Sequence, residues 1–156
     1  MSLVKVLVLL AGAIFNNNLS YTGSSVECLS KNVYYEARDQ GMEGKVAVLF
    51  VTLNRVKSVY FPNDFCDVIW QKGQFEWTED GKSDNPKEVE KYKEIVLLAI
   101  DFLSNIEKYE DPTNGALFYH ANYVKPCWLP DATLVSTVKD HLFYDVDHNG
   151  VSCWRR

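Results

Sequence analysis

The sequence predicts one α+β domain that is mostly helical and contains a few short strands. Apolar residues recur at helical spacing over residues 29–40 and again over residues 85–106. Within the segment 43–58, residues 46–53 are apolar nearly all round, which is typical of a buried helix. Short segments rich in β-branched and aromatic residues follow in the last third of the chain. No internal repeat or low-complexity tract divides residues 25–156, so we expect these elements to share one fold.

The first 23 residues have the layout of a secretory signal peptide, which leaves residues 24–156 for the folded domain. Lys5 precedes an apolar run over residues 6–15, and a polar Asn/Ser stretch follows. Because the run is too short to span a bilayer comfortably, we expect no stable membrane anchor. An N-terminal core helix is the alternative interpretation. Export predicts a mature chain that begins near residues 14–24.

The first predicted helix, over residues 29–40, carries an acid on its apolar face. At 100° per residue one face holds Leu29, Val33, Glu36 and Gln40, and the opposite face holds Lys31, Tyr34 and Arg38. Gly41 is predicted to end this helix. Glu36 therefore has apolar neighbours, and the two nearest cations in sequence project away from it.

Three elements are predicted to follow. The segment 43–58 has β-branched residues that would suit a strand, but its length favours a central, buried helix. After a turn at Pro62, residues 65–71 form a short helix, and residues 72–85 form an irregular or hairpin segment.

The last predicted helix is the most clearly marked. Asn85 can cap it, Pro86 suits its first position, and an apolar stripe continues towards Ile106. Two strand-like segments complete the prediction, residues 116–122 and residues 133–146, and we interpret each as a single strand.

Four cysteines are present, namely Cys28, Cys66, Cys127 and Cys153. They share no C-x-x-C spacing, so neither a zinc knuckle nor a thioredoxin-like pair is indicated. In an oxidising compartment three pairings of four cysteines are open, and we favour the local pairs Cys28–Cys66 and Cys127–Cys153. In the cytoplasm they would be buried thiols.

The charge balance argues against one class of partner. The net charge is −5 with a pI near 5.2, and no Lys/Arg block alternates with aromatic residues. A nucleic-acid-binding surface needs positive charge, so we exclude that function. Aromatic residues make up 13% of the chain, which suits both a packed core and a sugar-binding groove.

Glu36 is the residue with the most distinctive chemistry. Burial disfavours the carboxylate, so its pKa should be raised. A carboxylic acid that remains protonated near neutral pH beside a groove is what protonation of a glycosidic oxygen requires. The alternative is a partly buried glutamate that finds a hydrogen-bonding partner and has no further role.

Several motifs in series resemble one family. The stretch "YYEARDQGMEGKVAVLFVTLNRVKSVYFPNDFCDVIWQKGQFEWT", then "PTNGALFYHAN", a tryptophan at position 128 and "HLFY" at residues 141–144 are similar to the SleB-like cell wall hydrolases. This group includes spore-cortex-lytic enzymes and phage lysins. The resemblance covers roughly residues 28–144 in the same order, and it makes residues 24–156 the catalytic domain.

The resemblance implies a lysozyme-like α+β fold with a single catalytic glutamate in a Y-x-E-A-R motif, which falls on Glu36. It implies substrate contacts by Tyr34, Gln74, Phe75, Trp77, Thr78, Tyr119, His120 and Asn122. As an alternative, Phe75 or Trp77 belongs to the core. No cofactor or metal is implied, His141 and Tyr144 are packing residues, and we expect a monomer.

Two departures from the family pattern stand out. The family commonly has Gly-Glu after "EAR", where this chain has Asp39 and Gln40, and often a serine where this chain has Glu76. The second departure adds a carboxylate near the expected cleft and leaves its role open.

The implied substrate is the glycan strand of peptidoglycan. One well-placed acid suffices for a lytic transglycosylase, in which the muramyl 6-hydroxyl attacks and a 1,6-anhydromuramyl end forms, whereas ordinary glycosidases use two carboxylates. Glu76 keeps simple hydrolysis open. We expect an exported enzyme, periplasmic or extracellular, with phage origin as one possibility.

Other classes of protein are the alternatives. A metal-dependent amidase would use His120, His141 and an acid such as Glu36 or Asp140 as ligands, but the sequence lacks an H-x-x-x-H or H-x-x-E pattern. A cysteine peptidase would need a free thiolate near a histidine. A non-catalytic peptidoglycan-binding module would keep the aromatic groove without needing an acid at position 36.

Overall fold

The structure is a computed structural model, and it describes residues 14–16 and 19–146. Its α-helices are α1 (Gly23–Ala37), α2 (Gly41–Lys57), α3 (Phe65–Ile69) and α4 (Val89–Ser104). Its strands are β1 (Ile14–Asn16), β2 (Leu19–Tyr21), β3 (Phe118–Ala121), β4 (Ala132–Val138) and β5 (His141–Val146). Three short 3-10 helices cover Glu76–Thr78, Ile106–Lys108 and Leu129–Asp131. The predicted class, α+β and mostly helical with a few short strands, is confirmed.

The helices α1 and α2 form the centre of the domain. Thr22 caps α1 by accepting a hydrogen bond from the backbone N–H of Ser25. The helix ends at Ala37, so the prediction that Gly41 ends it is wrong. Gly41 has a φ of 69°, which glycine adopts without strain, and it begins α2 instead. The prediction that α2 is a buried central helix is confirmed, since its residues 47–53 are all buried.

The start of α4 differs from the prediction. The helix begins at Val89, and Glu88 occupies the cap position without a side-chain capping bond, so the predicted cap at Asn85 is wrong. Glu88 is instead held by α1, because its backbone N–H donates to the Tyr34 hydroxyl at 3.1 Å and its carboxylate pairs with Arg38 at 2.9 Å. These contacts fix the approach of the chain to α4.

A three-stranded antiparallel sheet with the order β3-β5-β4 packs beside the helices. The segment 133–146, predicted as one strand, is a hairpin of β4 and β5. Lys139 allows the reversal by adopting a φ of 53°. Glycine or asparagine usually occupies such a position, so the sequence did not indicate a turn there. The sheet brings the end of β3 towards α1. Residues 72–85 are irregular apart from one 3-10 turn, so the irregular interpretation is confirmed.

A disulfide joins Cys28 of α1 to Cys66 of α3, so this predicted pair is confirmed. The predicted partner of Cys127, Cys153, lies outside the described residues, so the second pair stays a prediction. At the N-terminal side β1 and β2 pair with each other, and the ring of Tyr21 lies 5.5 Å from that of Phe65. Most of the predicted signal peptide lies outside the described residues. Within the described ranges, no helix is long and apolar enough to cross a membrane.

Candidate active site

A cleft of about 1170 Å³ opens between α1, the irregular segment 72–88 and the end of β3. Glu36 lies in its wall, as do Arg55 from α2 and Tyr119 from β3. The further lining residues used below are Tyr34, Tyr35, Arg38, Gln74, Phe75, Glu76, Trp77, His120, Tyr123, Trp128 and His141. The cleft therefore contains carboxylates, aromatic rings and two arginines.

Glu36 is half-buried and has a single hydrogen-bond partner on its side chain among the described residues. The Tyr119 hydroxyl donates to Glu36 Oε2 at 2.8 Å, which leaves Oε1 for another partner. Burial raises the pKa of Glu36, against the lowering effects of the Tyr119 hydrogen bond and then of the Arg55 charge, while the Glu76 charge adds to the rise. The direction expected from the apolar face of the helix is confirmed.

The helical periodicity predicted that Tyr34 lies on an outward face of α1, and this prediction is wrong. Tyr34 is 4% exposed, because the segment leading into α4 covers that side of α1. Its hydroxyl exchanges hydrogen bonds with Glu88, and the Arg38 guanidinium carbon lies 4.9 Å above its ring. Tyr34 lines the edge of the cleft while belonging to the core.

The irregular segment supplies one wall of the cleft. Gln74, Phe75 and Trp77 line it as expected, although both rings are also buried in the core. The Trp77 indole donates to Asn32 at 3.0 Å and stacks on Tyr35 with centroids 4.8 Å apart. These contacts give the wall a fixed shape.

Two predicted contact residues do not reach this cleft. The Thr78 hydroxyl donates to the carbonyl of Phe75 at 2.8 Å and does not line the cavity. Asn122 is exposed beyond β3, with its backbone N–H donating to the carbonyl of Asp140 at 2.8 Å. Its neighbour Tyr123 lines the cleft instead.

The opposite wall contains Tyr119 and His120, as expected. Nδ1 of His120 lies 2.8 Å from the carbonyl of Ala121, and Nε2 lies 3.1 Å from the Tyr144 hydroxyl. The Tyr144 ring stacks on the imidazole with centroids 5.2 Å apart, and Trp128 meets it edge-on. Since both ring nitrogens are engaged, His120 is placed to shape the wall rather than to ligate a metal.

Among the cleft residues that the sequence did not predict are Tyr35, Arg55, Tyr123 and Trp128. Trp128 was noted as a motif position but not as part of the site. No sequence pattern indicated that Arg55 belongs to the site, because the surrounding segment predicts only a buried helix. Within the described residues, no group of three or more His, Cys, Asp or Glu side chains could hold a metal ion.

The fold and the cleft define a carboxylic-acid-based site in a small α+β domain, and the family model for cell wall hydrolases matches residues 39–144. The chain belongs to this family. The match begins just after Glu36, and the relatives below extend over more of the chain.

Curated relatives carry the name spore cortex-lytic enzyme. The protein from Oceanobacillus iheyensis is 30% identical over 125 residues, which are 79% of this chain and 42% of that protein. The Bacillus subtilis protein is 30% identical over the same length, with 79% of this chain and 38% of that protein covered. The chain therefore spans about two fifths of the length of these relatives.

Two solved structures have a similar fold. The catalytic domain of the Bacillus cereus SleB protein has a TM-score of 0.64 and 30% identity, over 85% of this chain and 95% of that one. The catalytic domain of the germination-specific lytic transglycosylase SleB from Bacillus anthracis has the same TM-score and identity, over 84% of this chain and all of that one, 100%. The expected lysozyme-like α+β fold is confirmed by this likeness.

Proposed function

We propose that this protein cleaves peptidoglycan glycan strands between N-acetylmuramic acid and N-acetylglucosamine, as a lytic transglycosylase with Glu36 as the proton donor. One observation carries the proposal: a half-buried carboxyl group with a raised pKa lies in the wall of an aromatic-lined cleft, and among the described residues only one of its oxygens has a hydrogen-bond partner. The name of the Bacillus anthracis structure gives the same reaction class for that protein.

The reaction uses Glu36 twice. In the first step the carboxylic acid gives its proton to the glycosidic oxygen, and the bond between that oxygen and muramyl C1 breaks. In the second step the muramyl 6-hydroxyl oxygen bonds to C1, and its proton returns to the Glu36 carboxylate. No water is consumed, the acid is regenerated, and the products are a free N-acetylglucosamine 4-hydroxyl and a 1,6-anhydromuramyl end.

The neighbours of Glu36 support this assignment. Because the Tyr119 hydroxyl donates to Oε2, the oxygen available to carry the acid proton is Oε1, which has no partner among the described residues. Tyr123 and Trp128 offer ring surfaces in the same cleft on which sugar rings can stack. Gln74 can bond sugar hydroxyl or acetamido groups from the facing wall.

Simple hydrolysis is the second candidate, and Glu76 is the observation that favours it. Its exposed carboxylate lines the cleft, and its charge acts on Glu36. A second carboxylate at that place can position a water molecule for attack on C1, as in two-carboxylate glycosidases. The muramyl end of the product distinguishes the two reactions.

The test is digestion of purified peptidoglycan by wild type, Glu36→Gln and Glu76→Ser, with mass spectrometry of the released fragments. Transglycosylation predicts 1,6-anhydromuramyl ends from wild type and from Glu76→Ser, and a loss of about 10²-fold or more in Glu36→Gln. Reducing ends that vanish in Glu76→Ser would establish the hydrolase instead. Full activity of Glu36→Gln would overturn the assignment of the acid.

The other classes have less support. The amidase alternative needs His120 as a ligand, and both of its nitrogens already have partners. The peptidase alternative needs a free thiolate, and neither Cys28 nor Cys66 can supply one because they form a disulfide. A pure binding module gives no reason for a raised pKa at Glu36.

We also propose that the protein is exported and acts as a monomer on the cell wall. The N-terminal sequence pattern supports export, and the disulfide fits an oxidising compartment. The relatives reported above are bacterial proteins, so the phage origin that we considered has no support from them.

A further inference from the structure

Arg55 is a buried cation beside the proposed acid. It is 4% exposed and forms no salt bridge with any carboxylate of the described residues. Burial lowers the pKa of Arg55 to about 10, so the guanidinium is still charged at neutral pH. Burying an unpaired charge is costly, and such a residue usually has a specific role.

The guanidinium is held rigidly by neutral groups. Its Nε–H donates to the carbonyl of Leu117 at 2.8 Å, next to β3. The rings of Phe61, Phe75 and Phe118 surround its central carbon, with centroids at 5.1, 5.1 and 5.8 Å. These contacts fix the position of the charge without neutralising it.

One part of the guanidinium is uncommitted. Arg55 lines the cleft, and its buried Nη1 has no hydrogen-bond partner among the described residues. The groups that its charge acts on are Tyr119 and Glu36, which form the hydrogen-bonded pair at the proposed site. The charge is thus directed at this pair and not at a surface carboxylate.

We propose that Arg55 is a positioning residue whose fixed charge stabilises the Glu36 carboxylate formed when the glycosidic oxygen takes its proton. This role rests on the proposed function and adds a residue to it. In a half-buried site the newly formed carboxylate would otherwise depend on a single hydrogen bond from Tyr119. Arg55 acts through Glu36: its charge stabilises the carboxylate that remains after the first step, and this carboxylate then takes up the proton of the muramyl hydroxyl.

The charged and titratable groups that face Glu36 come from three elements. They are Arg55 from α2, Glu76 from the 3-10 helix and Tyr119 from β3. Burial raises the pKa of Tyr119 well above its ordinary value, and burial lowers that of His141, which meets the Tyr119 ring edge-on at 5.2 Å. Neither group gains a charge as the pH rises from neutrality to about 9. A difference between wild type and an Arg55 variant in the titration of Glu36 is therefore attributable to the lost Arg55 charge.

The experiment compares wild type with Arg55→Lys, Arg55→Gln and Arg55→Met. In each protein ¹³C NMR follows the titration of the Glu36 carboxyl group, and the pH–rate profile is measured on peptidoglycan. We expect the two neutral variants to move the midpoint and the alkaline limb of the profile upwards by roughly one pH unit, and Arg55→Lys to restore much of the wild-type position. The maximal rate of the neutral variants should fall by about tenfold.

A structural role for Arg55 would give a different result. Phe61→Leu is the matched control, since it loosens the packing around the guanidinium but keeps the charge, and Phe61 does not line the cleft. It should lower the melting temperature without moving the titration of Glu36. If Arg55→Met does not fold, Arg55→Gln retains an N–H donor that can reach the Leu117 carbonyl.

Unchanged titration of Glu36 in a folded neutral variant would overturn the inference. An equal shift in Arg55→Lys and the neutral variants would overturn it as well. The NMR measurement needs no turnover, so it separates the two proposals. A shifted titration in a protein without lytic activity would refute only the proposed function, and an unshifted one in an active protein would refute only the role of Arg55.

Discussion

Tyr119→Phe is the change that best isolates how the cleft controls its acid. The substitution removes one hydroxyl, whose 2.8 Å hydrogen bond to Glu36 Oε2 is the largest influence that lowers the pKa of Glu36. The ring itself should keep its place, because it stacks on Phe143 with centroids 5.4 Å apart and meets His141 edge-on at 5.2 Å.

The size of the effect follows from the charge of the acceptor. A hydrogen bond to a carboxylate contributes about 1.5–3 kcal/mol, and one to a neutral acceptor about 0.5–1.5 kcal/mol. The midpoints of these ranges differ by about 1.25 kcal/mol, which favours the ionised form and corresponds to roughly 0.9 pH unit. Without the bond, Glu36 stays protonated to higher pH. Since the acid must be protonated to begin the reaction, the alkaline limb of the pH–rate profile should move upwards by about that amount.

The assay is the initial rate of peptidoglycan cleavage between about pH 4 and pH 9, with thermal denaturation as a check on folding. The maximal rate should also fall, by about tenfold, because the carboxyl group loses its fixed orientation. The upward shift should be at least as large as that of the neutral Arg55 variants, since the hydrogen bond outweighs the Arg55 charge. A limb that does not move, or moves downwards, in a folded Tyr119→Phe protein would refute this account of the site.

Two further predictions concern folding and export. The Cys28–Cys66 disulfide closes a sequence separation of 38 residues, so Cys28→Ser with Cys66→Ser should lower the free energy of unfolding by about 4 kcal/mol in denaturant titrations, and a loss below about 1 kcal/mol would contradict the chain-entropy argument. N-terminal sequencing of exported protein should give a start between residue 14 and Tyr21, because Tyr21 is buried and Thr22 caps α1, whereas an intact Met1 on soluble cytoplasmic protein would contradict export.

The sequence predicted what depends on local periodicity. The position of Glu36 on the apolar side of α1, the buried character of α2 and the irregular wall at 72–85 all follow from patterns within about 15 residues. Tyr34 was assigned to an outward face because periodicity assumes one buried side. In the structure α1 packs against α2, α3 and α4, so more of its circumference is covered than a single stripe indicates.

Long-range placement was not predictable in the same way. Arg55 lies 19 positions after Glu36 on a different helix, and only the closing of the α1–α2 turn brings their charges together. Thr78 and Asn122 stand next to true cleft residues in sequence, yet their directions depend on a 3-10 turn and on the exit from β3. The break between β4 and β5 at Lys139 lacked the glycine that usually signals a tight reversal.

The opposing influences on Glu36 fit a group that serves first as acid and then as base. Burial alone would give an acid that is protonated at neutral pH but whose carboxylate is too unstable to form readily when the glycosidic bond breaks. Tyr119 and Arg55 both favour that carboxylate, and neither forms a salt bridge with Glu36 among the described residues that would hold it permanently ionised. An inverting two-carboxylate hydrolase divides these duties between two residues, whereas a transglycosylase requires both from one. The balance around Glu36 therefore suits both steps of transglycosylation. The Glu76 charge, which opposes ionisation of Glu36, weakens Glu36 as the acid of the first step and strengthens it as the base of the second.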